Sequence, residues 1–457
     1  MKKRDLTNDK IFSNLMFMTI PAILGHLSRS VYDIVDMFWI GKISASAVAA
    51  VTVLSSILWL IWILSSVIGN SSVSLISQSF GKGDKERAAR VIEQTITFKI
   101  IVALITMAIV LPLLKNLVSF ITTDQEVISL ALKYGYVRIA FLPILFAQAT
   151  LSVAIRCVGD SKRAMKVMLF SAILNIFLDP IMMFDTIPLI GIKGFGLGIA
   201  GAAWATNIAN LLGVILGMYY LLSGKTNIKI KFSKMFKLIP EIDKKLVTIG
   251  APLGLEMLSR EGAGFIVMKL VASYGPSALA AVGITFRVLS ISFIIFLGFG
   301  DGAGAIVGQN LGVNNIKTAE KVAKLTGFIS SGVNFIMFLI IFLFTPQIIG
   351  IFTQSTEVLY YGSILVRFMA FSYAIFSYSF GLSSAFFGSG YNQPFMYASI
   401  FSRWIVQVPL MFIIVKVLGL PFIAVAIGYS CAEITEALAL MYYFHQGRWK
   451  ETKVVAI

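Results

Sequence analysis

Four oxygen-bearing side chains stand out because they interrupt long apolar stretches in the first half of the chain. Asp36 lies near the end of the first stretch, and Thr206 lies in the sixth. Asn175 and Asp179 are four residues apart in the fifth stretch and therefore share one face of a helix. Two carboxylates, an amide and a hydroxyl suit a hard monovalent cation such as Na⁺, and the carboxylates can alternatively hold a proton. These residues form a candidate cation site.

Further polar side chains lie close to Asp36 in the sequence. Arg29, Tyr32 and Asp33 are within two helical turns of it, and we predict that they support the site or line a substrate cavity. A buried polar network that only holds helices together is the competing interpretation of the whole group.

The amino-acid composition indicates the class of protein in which these residues lie. Of 457 residues, 58% are apolar and 13% are charged, and the mean hydropathy is +0.87. Soluble domains carry about 25% charged residues. The composition therefore excludes a soluble enzyme, a nucleic-acid-binding protein and a secreted module. It indicates an integral membrane protein.

Twelve apolar runs are long enough to span a bilayer as helices, which satisfy their own backbone hydrogen bonds. The predicted fold is therefore all-α, with an N-terminal six-helix bundle in residues 1–223, a cytoplasmic linker in 224–245 and a C-terminal six-helix bundle in 246–457. The runs lie at about 14–40, 47–77, 92–118, 128–155, 164–186, 195–223, 246–273, 278–308, 320–348, 357–387, 394–417 and 420–445.

The basic residues between the runs predict the orientation in the membrane. Alternate gaps hold 25 Lys and Arg residues, whereas the gaps between them hold 4. Since cytoplasmic loops are enriched in Lys and Arg, both termini are predicted to be cytoplasmic, in the plasma membrane.

An internal repeat divides the chain into similar halves. A shift of 231 positions aligns Pro21 with Pro252, Ser28-Arg29 with Ser259-Arg260, and Gly159 with Gly390. Two halves of six spans each have the same orientation, so we expect pseudo-symmetric bundles related by an axis along the membrane normal.

The same shift bears on the candidate site, because the acids have no counterparts in the second half. Asp36 aligns with Val267 and Asp179 with Leu410. A purely structural network is expected in both halves more often than in one, which favours a functional role. The second half has its own pair, Glu256 one turn before Arg260, which fits either a structural ion pair or a cavity lining.

No motif in the chain indicates an enzyme or an internal energy source. The Gly224-Lys225-Thr226 sequence lacks the earlier glycine of a phosphate-binding loop, and the two histidines do not form a zinc motif. If the protein moves a solute uphill, an ion gradient must supply the energy.

Three sequence segments resemble those of the multidrug and toxic compound extrusion (MATE) transporters, and most closely the DinF-like branch. They are Val35-Asp36-Met37-Phe38-Trp39-Ile40-Gly41, Leu174-Asn175-Ile176-Phe177-Leu178-Asp179-Pro180, and Gln78 with Gly81. The resemblance implies cation-coupled antiport of amphipathic, often cationic, drug-like compounds by alternating access.

The resemblance also assigns residues. It places Asp36, Asn175, Asp179 and Thr206 at an N-terminal cation site for H⁺ or Na⁺, with Tyr32 beside it. The other branch carries an acid in the tenth span. Residues 371–390 contain none, although Glu256 is present, so a C-terminal ion site is not expected.

Several alternatives remain open at this stage. A lipid-linked oligosaccharide flippase of the same superfamily is the second candidate function. The native substrate and the choice between H⁺ and Na⁺ are undetermined. We predict no cofactor other than the coupling ion, contacts with membrane lipids, no nucleic-acid partner and a monomer.

Overall fold

The computed structural model describes residues 4–8, 10–188, 191–235, 237–452 and 454, and helices dominate these ranges. The β pairing found within them is a single bridge between Thr186 and Lys193. The first half forms α1 (Ile11–Gly41), α2 (Ala45–Gly81), α3 (Lys85–Ile121), α4 (Gln125–Ala140), α5 (Leu142–Cys157), α6 (Ser161–Met183) and α7 (Ile199–Leu222).

The linker contains one short helix, and the second half repeats the pattern of long helices. The helices are α8 (Phe232–Met235), α9 (Pro240–Val271), α10 (Pro276–Gly312), α11 (Ile316–Leu343), α12 (Thr345–Gly350), α13 (Thr356–Leu382), α14 (Ser384–Ser389), α15 (Gln393–Ile400), α16 (Val408–Phe412) and α17 (Val425–Gln446). A wide π-type stretch over Phe401–Gln407 joins α15 to α16, and a second one over Ile413–Val417 extends α16.

The helix boundaries recur at the 231-residue spacing of the internal repeat predicted from the sequence. The starts of α2, α3 and α4 recur 231 residues later as the starts of α10, α11 and α13. Asp84 and Asn315, also 231 residues apart, cap α3 and α11 by accepting backbone N–H bonds. Gly159 and Gly390 both have φ of 83°, a backbone conformation that favours glycine, so this turn is also repeated.

The number of membrane-spanning helices agrees with the prediction when the bent pair α4–α5 is counted as one span and the charged helix α9 as another. Ten described helices are long and apolar enough to span a membrane, and α4 with α5 forms an eleventh span that bends by 55°. The predicted single run at 128–155 is this bent pair, in which a new helix begins at Leu142 and has Pro143 in its first turn. The 32-residue α9 is long enough, but Glu256, Arg260 and Glu261 lie in its middle. With α9 included, the predicted twelve-span, all-α fold is obtained.

The described chain divides into two compact units. The first consists of Leu24–Thr248 together with Arg4, and its core includes the fully buried Leu54, Leu114 and Phe146. The linker belongs to this unit. The segment predicted as a cytoplasmic linker, residues 224–245, is therefore packed with the first unit.

The second unit consists of Ile249–Ile457 and also Asp5–Ile23. Leu15 and Met18 of α1 are fully buried in the same core as Phe296 and Phe386. The sequence had assigned all of residues 1–223 to the N-terminal bundle. The structure differs because the apolar face of the first α1 turns is buried by the C-terminal helices.

Candidate functional site

Close packing of α6 against α7 brings two of the predicted site residues together. Gly201 of α7, just over one turn before Thr206, makes this approach possible, because a Cβ atom there would collide with the carbonyl oxygen of Met182. A glycine at this position is therefore a geometric requirement of the site. Asn175 of α6 then faces Thr206.

Asn175 is the centre of a buried hydrogen-bond cluster. Its Nδ2 donates to Asp179 Oδ1 at 3.0 Å and to Thr206 Oγ1 at 3.2 Å. The Thr206 hydroxyl donates to the carbonyl oxygen of Ala202, one turn earlier, at 3.0 Å. Asn175, Asp179 and Thr206 are 1%, 0% and 4% exposed. Three of the four residues predicted for the cation site are thus in direct contact.

Asp36 completes the group from α1, and it interacts electrostatically with Asp179. Three oxygen atoms here are buried and have no hydrogen-bond donor among the described residues: Asp36 Oδ1, Asp179 Oδ2 and Asn175 Oδ1. Buried oxygens without a donor are costly, and a bound cation or proton satisfies them. Oxygen atoms of this type suit a proton or Na⁺, so the residues present are chemically able to hold either cation.

Arg138 of α4 is a component of this site that the sequence reasoning missed. It interacts electrostatically with both Asp36 and Asp179, and its Nη1 donates to Asn207 Oδ1 at 2.8 Å. Asn207 in turn donates to the carbonyl oxygen of Val137 at 2.8 Å, which holds the guanidinium in place. An ionisable residue within the fourth apolar run was the available signal.

Tyr32, Arg29 and Asp33, the other residues predicted near Asp36, differ in their interactions and in their exposure. Tyr32 interacts electrostatically with Asp36, as the prediction of a supporting residue requires. Arg29 and Asp33 interact with each other, and Arg29 lies 4.9 Å from the ring centre of Trp62. Arg29 and Asp33 are exposed, and Asp33 also interacts electrostatically with Asp36. Their assignment as supporting residues or as the lining of a substrate cavity stays a prediction.

Glu256 forms the ion pair with Arg260 that its spacing suggested. This pair is the first of a series of connected ion pairs. Arg260 contacts Glu256 at 2.8 Å and Glu436 at 2.6 Å. Arg403, which the sequence reasoning also missed, contacts Glu436 at 3.0 Å and Glu433 at 2.7 Å. Acid and base alternate along this chain, so each of its carboxylates has a guanidinium partner. We call these five residues the C-terminal ion chain.

A twelve-span helical fold with an internal repeat and a buried charged group is the architecture of a secondary membrane transporter. The MatE family model matches residues 21–181 and again residues 252–413, so the match itself follows the repeat. The chain therefore belongs to the MATE family of transporters, as the sequence resemblance predicted. The predicted class, a transporter rather than an enzyme, is confirmed by this membership.

Curated relatives match over almost the whole chain. It is 25% identical to the Bacillus subtilis protein named "Probable multidrug resistance protein YoeA", covering 98% of this chain and 96% of that protein. It is 24% identical to the multidrug export protein MepA of Staphylococcus aureus, covering 90% and 88%.

A solved structure supports the fold. A MOP superfamily transporter from Pyrococcus furiosus, described as having a binding pocket of reversed polarity, superposes with a TM-score of 0.90. It is 23% identical and covers 98% of both chains. The agreement confirms the predicted all-helical, two-bundle transporter fold.

Proposed function

We propose that the protein is a cation-coupled antiporter that exports amphipathic, often cationic, drug-like compounds by alternating access. Family membership and the multidrug names of its relatives support the substrate class. The observation that supports coupling is the set of three buried oxygens, on Asp36, Asn175 and Asp179, that receive no hydrogen bond from the residues that the structure describes. H⁺ and Na⁺ remain the two candidate ions, and Na⁺ would be held by these residues and Thr206.

The charges of the site set how many cations it takes. Two carboxylates give a charge of −2, and Arg138 offsets one of them, so the site has an excess of one negative charge. One proton or one Na⁺ therefore neutralises it. Binding a second cation would leave an uncompensated positive charge within the membrane, which is costly.

Neutralisation supplies a mechanism for exchange. A site with an excess negative charge attracts a cationic compound, whereas a neutral site does not. Cation binding therefore promotes release of the compound outward, and the bundles return with the cation bound. Cation and drug must oppose each other's binding, and this opposition is reciprocal by linkage.

Purified protein in liposomes tests this proposal. A cationic dye should leave the lumen against its gradient when an inward pH or Na⁺ gradient is imposed, and not when the gradient is absent. The ion that drives efflux identifies the coupling ion. If neither gradient drives efflux but the protein translocates a lipid carrying a labelled oligosaccharide head group, the flippase is the function instead.

We further propose that the protein lies in the plasma membrane with both termini cytoplasmic, and the 25-to-4 distribution of basic residues supports this orientation. Single cysteines at Lys42 and in the linker should then react with an impermeant reagent from opposite sides of the membrane. Reaction of both from one side would contradict the orientation.

A further inference from the structure

The segment that joins the two halves of the chain is fastened to α3 by its main chain. Glu93 accepts the backbone N–H of Lys231 at 2.7 Å, and Gln94 accepts that of Ile239 at 2.9 Å. Thr97 donates to the carbonyl oxygen of Met235 at 2.6 Å. Glu93 and Gln94 are 2% and 1% exposed, so these anchors are themselves fixed. The linker is therefore held in a definite position on the first unit.

The fastened linker presents basic and apolar side chains together. Residues 224–240 contain five lysines and no acidic residue. Four of the lysines are exposed, namely Lys225, Lys229, Lys231 and Lys237. The fifth, Lys234, pairs with Glu86 at 3.3 Å. Phe232 and Leu238 lie among them and are 57% and 49% exposed. We call the four exposed lysines with Phe232 and Leu238 the linker surface.

Two features of this surface distinguish a membrane from other partners. Exposed apolar side chains between lysines are typical of segments that lie in the headgroup region, where the apolar groups reach the acyl chains and the ammonium groups stay among phosphates. The segment also follows α7 directly, so it begins where a membrane-spanning helix ends. Lys225 lies over the ring of Tyr219, the 49% exposed aromatic residue near the end of α7, at 4.5 Å.

We propose that the linker surface binds anionic phospholipid of the leaflet that it faces. The lysines bind the phosphate and the net negative charge of the head group, and Phe232 and Leu238 pack against the upper acyl chains. Basic residues beside a membrane-spanning helix each strengthen binding to anionic lipid. Because Glu93, Gln94 and Thr97 hold the linker on α3, the bound lipid is attached to the first unit.

The test uses full-length protein in a neutral detergent, titrated with short-chain phosphatidylglycerol or with phosphatidylcholine of the same chain length. Wild type should bind phosphatidylglycerol at least about tenfold more tightly, and this preference should weaken as salt screens the lysines. The quadruple variant Lys225→Gln, Lys229→Gln, Lys231→Gln, Lys237→Gln should lose the preference.

A matched control removes the same charge elsewhere. Lys42→Gln, Lys115→Gln, Lys193→Gln, Lys416→Gln alters one lysine in each of four gaps on the other predicted face, and should keep the preference. The double variant Phe232→Ser, Leu238→Ser should weaken binding of both lipids while leaving phosphatidylglycerol the preferred one. Thermal unfolding of every variant shows that it is folded.

Three results would overturn the proposal. One is a wild type without preference for phosphatidylglycerol, and another is a folded linker variant that keeps the preference. The third is equal binding of glycerol phosphate or an oligonucleotide at the linker surface, since either would show that the acyl chains contribute nothing.

Discussion

The two units of the molecule both bury acidic side chains, but they treat them in opposite ways. In the C-terminal ion chain, Arg260 and Arg403 contact all three glutamates at 2.6 to 3.0 Å. In the N-terminal site, Asp36 and Asp179 each keep a buried oxygen to which no residue in the described part of the chain donates. The first arrangement is satisfied by the protein itself, whereas the second leaves oxygens that the proposed coupling proton or ion would satisfy.

This difference explains why the presence of a buried acid is a weak guide to function and its pairing a better one. An intramembrane carboxylate that is ion-paired with arginines is a structural element, and its loss leaves the arginine charges unpaired. A carboxylate whose oxygens accept no hydrogen bond is available to bind a mobile cation.

The first prediction compares transport after loss of an acid in each region. Asp36→Asn should reduce cation-driven efflux from liposomes to the level of protein-free liposomes, because the site then has no excess negative charge. Glu256→Gln should retain most of the efflux, since glutamine can still accept a hydrogen bond from Arg260. The reverse result would place the coupling site in the second unit.

The second prediction concerns the free energy of unfolding. Here the larger effect is expected in the C-terminal ion chain rather than in the N-terminal site. Glu436 is 0% exposed and contacts both arginines, so Glu436→Gln should lower the free energy of unfolding by about 3–5 kcal/mol. Asp179→Asn should leave it unchanged or raise it, because among the described residues no guanidinium or ammonium group forms an ion pair with this carboxylate, and Arg138 acts on it only electrostatically. Thermal unfolding in detergent measures both, and equal losses would contradict the distinction.

These comparisons also show which parts of the structure the sequence could predict. Asp36, Asn175, Asp179 and Thr206 were found because polar oxygens within apolar runs are conspicuous and i,i+4 spacing is local. Arg138 and Arg403 were missed because their partners lie on other helices, and no local spacing reveals a contact between helices. Their presence within apolar runs was nevertheless a usable signal.

The fold was predicted more completely than the site, for a similar reason. Apolar runs and the 231-residue shift fix the number and order of the helices. The bend before Leu142 and the packing of Asp5–Ile23 with the second unit depend on tertiary contacts that hydropathy does not contain.

The third prediction concerns the charge that limits the site to one cation. Arg138→Gln should raise the excess negative charge from one to two and strengthen cation binding by about tenfold. The dependence of drug release on pH or Na⁺ should then shift to lower cation concentration and become steeper. Lys133→Gln removes a charge from the exposed face of the same helix and should change neither. If drug release in Arg138→Gln depends on pH or Na⁺ as it does in wild type, Arg138 does not contribute to the charge of the site.

The fourth and smallest effect concerns Thr206, whose hydroxyl accepts a hydrogen bond from Asn175. Thr206→Val keeps the shape but removes the acceptor, so cation affinity should fall by about three- to tenfold, the loss of one hydrogen bond. Thr206→Ser, which keeps the hydroxyl, should bind cations as wild type does. Wild-type cation affinity in Thr206→Val would show that the oxygen does not contribute, and a loss of affinity confined to Thr206→Ser would show that the methyl group matters instead.

The central claim, that cation and drug compete through the N-terminal carboxylates, is tested most directly by drug affinity. Fluorescence titration of solubilised wild type should show affinity falling by about tenfold or more as pH drops or as Na⁺ rises, whichever ion couples. Asp179→Asn, which imitates the neutralised site, should bind the drug weakly and without dependence on either ion. Glu256→Gln should behave as wild type does. If Asp179→Asn binds the drug as tightly as wild type and keeps the ion dependence, the coupling lies elsewhere and these carboxylates are structural.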